Sequence, residues 1–325
     1  MNKKIIIAAL GAALVLCSCA PKTETADNTP ATETVTEAAN YSYVENAAPY
    51  VKNEEAVIDA IENINTGELE AFGDAKPSEE SMKKLSDLVK KIEDEGHQIS
   101  FIMADMKSTS GVSLYPDLTM CLQSTIKSVF AASLIENRPE VFEKEKETIY
   151  KMLAFSDNDA YAELYEKYGT DYVQKWVDEV GCSDAITEKQ YPRATVRDMS
   201  KLWAKLFSYL NSGDAPKELC DFYNGSKFSA SCLFLSDKNY VHSKAGWEHG
   251  LYGENKDEPL PEYVDGDPEN DEVATNDTGV VYTEKGPYIF AVFTDYPLSD
   301  ETVDHPLEEF TYVLNEVAQS IQSND

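Results

Sequence analysis

Ser124 and Lys127 stand three residues apart in "CLQSTIKSVFAASLIEN", residues 121–137, a stretch that reads as a buried helix. That spacing puts both side chains on one helical face, here among Leu122, Ile126, Val129, Phe130 and Leu134. A serine hydroxyl becomes a good nucleophile when a neighbouring base takes its proton. Burial disfavours the ammonium form of lysine, so an amine in an apolar pocket can be neutral near pH 7 and act as that base. The competing reading is a lysine that lays its stem on apolar residues and carries its charge to solvent. Spacing alone does not decide, because about one SxxK arises by chance in a chain this long. Ser81-Met82-Lys83-Lys84 is such a second instance, in a helix crowded with Glu and Lys whose lysines read as solvated.

Two further motifs change the weighing. "MLAFSDNDAYAEL" holds Ser156-Asp157-Asn158 directly after an apolar helix, and "VHSKAGW" holds Lys244-Ala245-Gly246 on an alternating strand. Ser, Asp and Asn are favoured helix N-caps, so the tripeptide by itself reads as a helix start. Capping and catalysis coexist where one helix ends and the next begins. In this order, SxxK, SDN and a KTG-like triplet resemble the class A β-lactamases and penicillin-binding proteins. The resemblance runs from about residue 78 to 322 and includes "ATVRDMSKL" at a helix start and "NDTGVVY" after the third motif.

The resemblance implies roles. Ser124 attacks a carbonyl and is acylated, with Lys127 as its base. Ser156 passes a proton between Lys244 or Lys127 and the leaving nitrogen, Asn158 holds the substrate amide, and Lys244 keeps the site positive for a carboxylate and tunes Ser156. The N–H groups of Ser124 and Trp247, beside Gly246, form the oxyanion hole, a feature worth about 3–4 kcal/mol per donor. No cofactor is implied. The pattern also breaks in two places. Class A enzymes carry a water-activating glutamate in an ExxLN loop; "CSDAITEKQYPRATVRD" has only Glu188, which reads as solvated. Ala245 replaces the hydroxyl residue of KTG, and Asp277-Thr278-Gly279 offers no arginine as a carboxylate anchor. Hydrogen bonds to charged groups contribute about 1.5–3 kcal/mol each, so turnover of β-lactams is expected to be reduced.

The elements that must position these residues can be read along the chain. A helix is expected from Ser78 to Glu95, stopped by Gly96, then a strand in "QISFIMADM" continued as a hairpin by "GVSLYPD". From about 119 to 212 the reading is helical: the Ser124 helix, then 143–155, 159–168, 171–180 and a helix whose start "TVRD" offers Thr195 as cap with Asp198 three residues on. "NYVHSKAGW" alternates as a strand, "TGVVYTEKGPYIFAVFTDY" reads as two strands joined at Glu284–Pro287, and a helix over 306–321 follows. Residues 41–76 are ambiguous, with a short helix possible over Glu54–Asn65. Strands at both ends and helices between them give an α/β (α+β) fold. An antiparallel sheet is flanked by helices, and an all-helical subdomain is inserted.

The first residues, "MNKKIIIAALGAALVLCSCA", have a basic head and an apolar run too short to span a bilayer comfortably, as secretory leaders do. The end, Leu16-Cys17-Ser18-Cys19, resembles the lipobox of bacterial lipoproteins. It implies cleavage after residue 18, lipid on Cys19 and an extracytoplasmic, membrane-anchored protein. Residues 20–40 are Thr, Ala, Glu and Pro, and 19–50 is expected to be a disordered tether before a catalytic domain over 51–325. A net charge of −31 repels nucleic acid phosphates and anionic headgroups. A monomer is expected.

Cys121, Cys182, Cys220 and Cys232 allow three full pairings, of which Cys220–Cys232 is a plausible bond. No CxxC spacing exists, His242 and His249 lack a third metal ligand, and "DGDPENDE" in the acidic insertion 248–275 lacks the EF-hand spacing. With no GxSxG elbow, a Ser-His-Asp esterase is excluded. Two readings stand. One is a serine acyl-transfer hydrolase acting on a β-lactam or peptidoglycan-type amide. The other is a catalytically retired lipoprotein that binds cell-wall fragments or a partner in the same cleft. Choosing Ser124 over the second SxxK has a direct check: Ser81→Ala should leave acylation rates unchanged, and any loss of activity there would mean the wrong serine had been selected.

Overall fold

The computed structural model describes residues 41–248, 273–297 and 305–324. The leader, Cys19, residues 20–40, His249 and most of the acidic insertion lie outside them. The elements in chain order are α1 (Glu54–Glu62), β1 (Glu70–Phe72), α2 (Glu79–Asp94), β2 (Ile99–Asp105), β3 (Gly111–Leu114) and β4 (Met120–Cys121). Then come α3 (Ile126–Asn137), α4 (Glu140–Ala154), α5 (Asn158–Tyr168), α6 (Asp171–Val180), β5 (Arg193–Ala194) and α7 (Val196–Asn211). Last are α8 (Lys217–Asn224), α9 (Ala230–Leu235), β6 (Tyr240–Glu248), β7 (Ala274–Thr283), β8 (Gly286–Thr294) and α10 (Glu308–Gln322).

Six strands form one antiparallel sheet in the order β1-β3-β2-β8-β7-β6, so the two ends of the chain supply one layer. Its strands are buried on both faces, which explains their nearly continuous apolar runs. Ile102, Ala104, Val280, Tyr282, Ile289 and Ala291 face the core made with α3 to α7. Alternate residues Phe101, Met103, Val281, Tyr288 and Phe290 face a second core against α2 and α10. Strand β6 forms one edge, and it carries the Lys244 motif toward the helical layer.

Three expectations need correction. Residues 41–50 are not all tether: Ala47 is fully buried, and Tyr41, Tyr43, Val44 and Tyr50 pack on the first core, because each brings apolar surface to it. Cys182, Cys220 and Cys232 are free thiols. Cys220 Sγ contacts Leu210 O and Cys232 Sγ contacts Asn224 O and Ser243 Oγ, so the expected Cys220–Cys232 bond is not formed. The turn before β8 is also tighter than expected, since Gly286 already pairs with Thr283 and Pro287 with Tyr282. Gly286 permits this with a φ of +137°.

The longest helix of the inserted layer, α7, crosses the sheet and packs on β8, β7 and β2. Thr195 caps it as its sequence suggests. Asp198 N donates to Thr195 Oγ1 at 3.0 Å, while Thr195 N donates back to Asp198 Oδ2 at 3.3 Å. Thr195→Ala should therefore cost about 1 kcal/mol, read as a lowered denaturation midpoint in urea.

Candidate active site

Ser124 does not lie on the regular helix. It sits in a 3₁₀ turn, Gln123–Thr125, that precedes α3. Gln123 takes a left-handed φ of +49°, an unfavourable conformation for a side-chain residue. The turn is clamped from three sides. Short strand β4 pairs with β5, Leu122 N donates to Pro192 O at 2.9 Å, and Asn276 Nδ2 on β7 donates to Cys121 O at 2.7 Å. Gly246 on β6 completes the clamp. A Cβ there would stand 2.7 Å from Ser124 N and 2.8 Å from Leu122 O and Thr125 N, so only glycine lets the strand approach. Trp247 follows directly, its ring against Phe228 at 4.6 Å.

Two buried amines meet behind this turn. Lys127 has no solvent exposure, and its Nζ donates to Ser156 O at 2.7 Å and Asn158 Oδ1 at 2.6 Å. Lys244 is 1% exposed, and its Nζ donates to Ser156 Oγ at 2.9 Å and Ala245 O at 2.8 Å. Ser156 serves both because its backbone is left-handed, with φ +59°, turning its carbonyl to one lysine and its hydroxyl to the other. Asp157 caps α5 by accepting from Ala160 N at 2.9 Å, so the tripeptide is both helix start and lysine bridge.

Burial drives the chemistry of both amines. Loss of hydration pulls Lys127 down to about 7, against an upward pull from the Asp157 charge. Lys244 is held well below the usual lysine range, first by burial and then by the charge of Lys127. The bond to Ser156 fits the expected influence of Lys244 on that serine, while burial opposes the expected standing charge. A buried amine pushed toward neutrality and bonded to Ser156 is not a standing positive charge for a carboxylate. Lys83 and Lys84 of the second SxxK are largely exposed and paired with Asp87 and Glu316, while Ser81 bonds Ser78 and Ser320.

No direct bond joins Lys127 Nζ to Ser124 Oγ, which makes no hydrogen bond among the described residues. Catalytic contacts are often long before substrate binds. Asn158 Oδ1 also accepts from Tyr191 OH at 3.0 Å. Glu188 is exposed, as expected, and no described carboxylate bonds Ser124 or Lys127. His242 belongs to the core, bonded through Nδ1 to Tyr282 OH at 2.9 Å, with burial pulling it down to about 3.

The sequence profile of the β-lactamase enzyme family matches residues 144–318, more than half of the chain. The chain belongs to the β-lactamase enzyme family. The matched span contains the Ser156 and Lys244 motifs and begins after Lys127. Solved structures agree in fold. The extended-spectrum β-lactamase TLA-1 is similar with a TM-score of 0.53 at 14% identity, over 75% of this chain and all of that one. The β-lactamase of Sphaerobacter thermophilus is similar with a TM-score of 0.51 at 15% identity, over 73% of this chain and 95% of that one. No curated protein matches the sequence.

Reading the chain alone missed Tyr161, Tyr191 and Asn276. Each reaches the site from a separate segment, and none carries a local spacing that marks it. Asp277 was noticed only for what it is not. It lies on the face of the sheet opposite Lys244, accepting from Ser229 Oγ at 3.0 Å and Ser231 N at 2.8 Å, and burial pushes it up to about 6. The tight seat of Gly246 makes one residue decisive for this β-lactamase-family site. Gly246→Ala should force β6 away from the Ser124 turn and slow acylation by about 10²-fold, measured as the rate of covalent labelling.

Proposed function

We propose that this member of the β-lactamase family is a serine acyl-transfer enzyme in which Ser124 forms an acyl-enzyme with a β-lactam or a D-Ala-D-Ala-type amide. One observation carries the reading: two dry, deprotonatable amines converge on Ser156 beside a clamped, slightly exposed serine. A neutral lysine has two N–H bonds, and Ser156 O and Asn158 Oδ1 take both. The lone pair of Lys127 is then free to receive the Ser124 proton as Oγ bonds to the substrate carbonyl carbon. The carbonyl electrons move to oxygen, and the N–H groups of Ser124 and Trp247 receive that oxyanion. When the carbon–nitrogen bond breaks, Ser156 Oγ protonates the leaving nitrogen and is recharged from the lysine pair. One proton travels from Ser124 to the departing amine.

Hydrolysis of the acyl-enzyme needs an activated water. The loop that would supply a carboxylate in class A enzymes presents an exposed Glu188 instead. Slow deacylation, or transfer to another acceptor, follows from that difference. Ala245 and the buried Lys244 leave a substrate carboxylate poorly anchored, so a neutral amide neighbour is tolerated. Lipid on Cys19 holds the enzyme at the outer face of a membrane, where cell-wall peptides are available; among the described residues no helix is long and apolar enough to cross one.

The test is intact-mass spectrometry of the full chain mixed with a penicillin, beside Ser124→Ala and Lys127→Ala. A persistent adduct is expected in the wild type and none in Ser124→Ala. Lys127→Ala should label about 10²–10⁴-fold more slowly while remaining folded. Because only the neutral amine accepts a proton, labelling should rise with pH through about 7 and level off above it. Drug consumption without an adduct would show efficient turnover and a water-activating group elsewhere. Neither adduct nor consumption, repeated with D-Ala-D-Ala-type peptides, would leave the retired, ligand-binding reading.

A further inference from the structure

We propose that Tyr191 is a positioning residue for acyl transfer, its ring shutting water away from Lys127 and its hydroxyl fixing the amide of Asn158 toward substrate. This rests on acyl transfer at Ser124 as proposed above. Tyr191 comes from the loop between α6 and β5, and that loop is tied to the nucleophile. The next residue, Pro192, accepts from Leu122 N at 2.9 Å, and β5 pairs with β4 immediately after it. A shift of Tyr191 therefore moves with the Ser124 turn.

The ring is equally fixed. Tyr161 OH donates to Gln190 O at 3.0 Å, and the Tyr161 and Tyr191 rings meet edge to face at 5.6 Å. Lys127 Nζ lies 5.5 Å from the Tyr161 ring centre and 5.7 Å from that of Tyr191. Two carbonyl-type acceptors and two phenol rings thus surround the amine in place of water. The charged and titratable groups that face it are Asp157 ahead of α5, Lys244 on β6, and the two tyrosines. Both tyrosines stay uncharged at neutral pH, because burial pushes their phenols up.

The hydroxyl acts on Asn158. An amide oxygen has two lone pairs, and here Lys127 Nζ and Tyr191 OH use both. The amide nitrogen is left as the group offered outward, a donor suited to a substrate carbonyl. Burial pushes the Tyr191 phenol up to about 12, so it stays a donor across the working pH range. Without it, the Asn158 amide is free to turn. The loop that in class A enzymes carries a water-activating carboxylate here carries a phenol whose proton orients the binding amide.

The test compares Tyr191→Phe with Tyr191→Ala in the full chain. The Lys127 midpoint is followed by NMR of ¹³Cε-labelled lysine, its signal assigned with Lys127→Arg. Tyr191→Phe keeps the ring and should keep the wild-type midpoint. Tyr191→Ala admits water and should move the midpoint upward by about one unit or more. Acylation is then measured with a penicillin bearing an acylamido carbonyl and with 6-aminopenicillanic acid, which lacks it. Tyr191→Phe should slow the first by about 3- to 10-fold and leave the second unchanged. An unmoved midpoint in Tyr191→Ala, or equal rates for both probes in Tyr191→Phe, would overturn the proposal. The titration needs no substrate. A wild type that takes no acyl group while the midpoint shifts as expected would sink the acyl-transfer reading and keep the shielding of Lys127.

Discussion

Two lysine amines held out of water against one serine are the constraint on which this structure turns. A buried ammonium costs several kcal/mol unless it is compensated, and the cheaper answer is to lose the proton. Burial pulls both Lys127 and Lys244 in that direction, and Ser156 O, Asn158 Oδ1, Ser156 Oγ and Ala245 O accept their N–H bonds. The unfavourable backbone of Ser156, at φ +59°, is what lets one residue serve both. Strain at this point is stored in the fold and held by packing on either side.

The dry seam exists because two layers close on it. The helical layer contributes Lys127 from α3 and the Ser156–Asn158 junction between α4 and α5. The sheet contributes Lys244 from its edge strand. Strand β6 would have little reason to sit so close without Gly246, whose missing side chain lets it touch the backbone of the Ser124 turn. Asn276 secures the same turn from β7 through Cys121 O. Behind β6, Ser243 donates to Ser229 at 2.6 Å, and Ser229 to Asp277, so a second polar layer fixes the strand from the opposite face. Each such bond contributes about 1 kcal/mol, and its loss in a buried setting costs more than that.

Under the acyl-transfer reading proposed above, the site is better equipped to form an acyl-enzyme than to break one. Lys127, Ser156 and Lys244 are buried and bonded in place, and Ser124 stands beside them without a direct bond to either lysine among the described residues. Two phenols face Lys127, Tyr161 from α5 and Tyr191 from the loop before β5. Their rings pack beside the amine without adding a negative charge that would raise its proton affinity.

Much of this was legible along the chain, for physical reasons tied to local patterns. Alternation and turn residues located β6 to β8, the Thr195–Asp198 pair marked the start of α7, and the order of the Ser124, Ser156 and Lys244 motifs pointed to the family. Those signals are short-range: they say which residues cap, which face is apolar and which types recur at a spacing. Tertiary structure decided what no spacing encodes. It placed Ser124 in a 3₁₀ turn rather than on the helix, because β4, β5 and Asn276 pull the preceding backbone out of helical form. It buried Lys244 almost completely against Ser156, which opposes the standing positive charge expected there. It left Cys220 and Cys232 apart, and it brought Tyr191 from a loop more than sixty residues beyond Lys127 to within reach of that amine. Hydrophobic periodicity determines which surfaces must meet, but the distance between two side chains on different segments is set only when those surfaces pack.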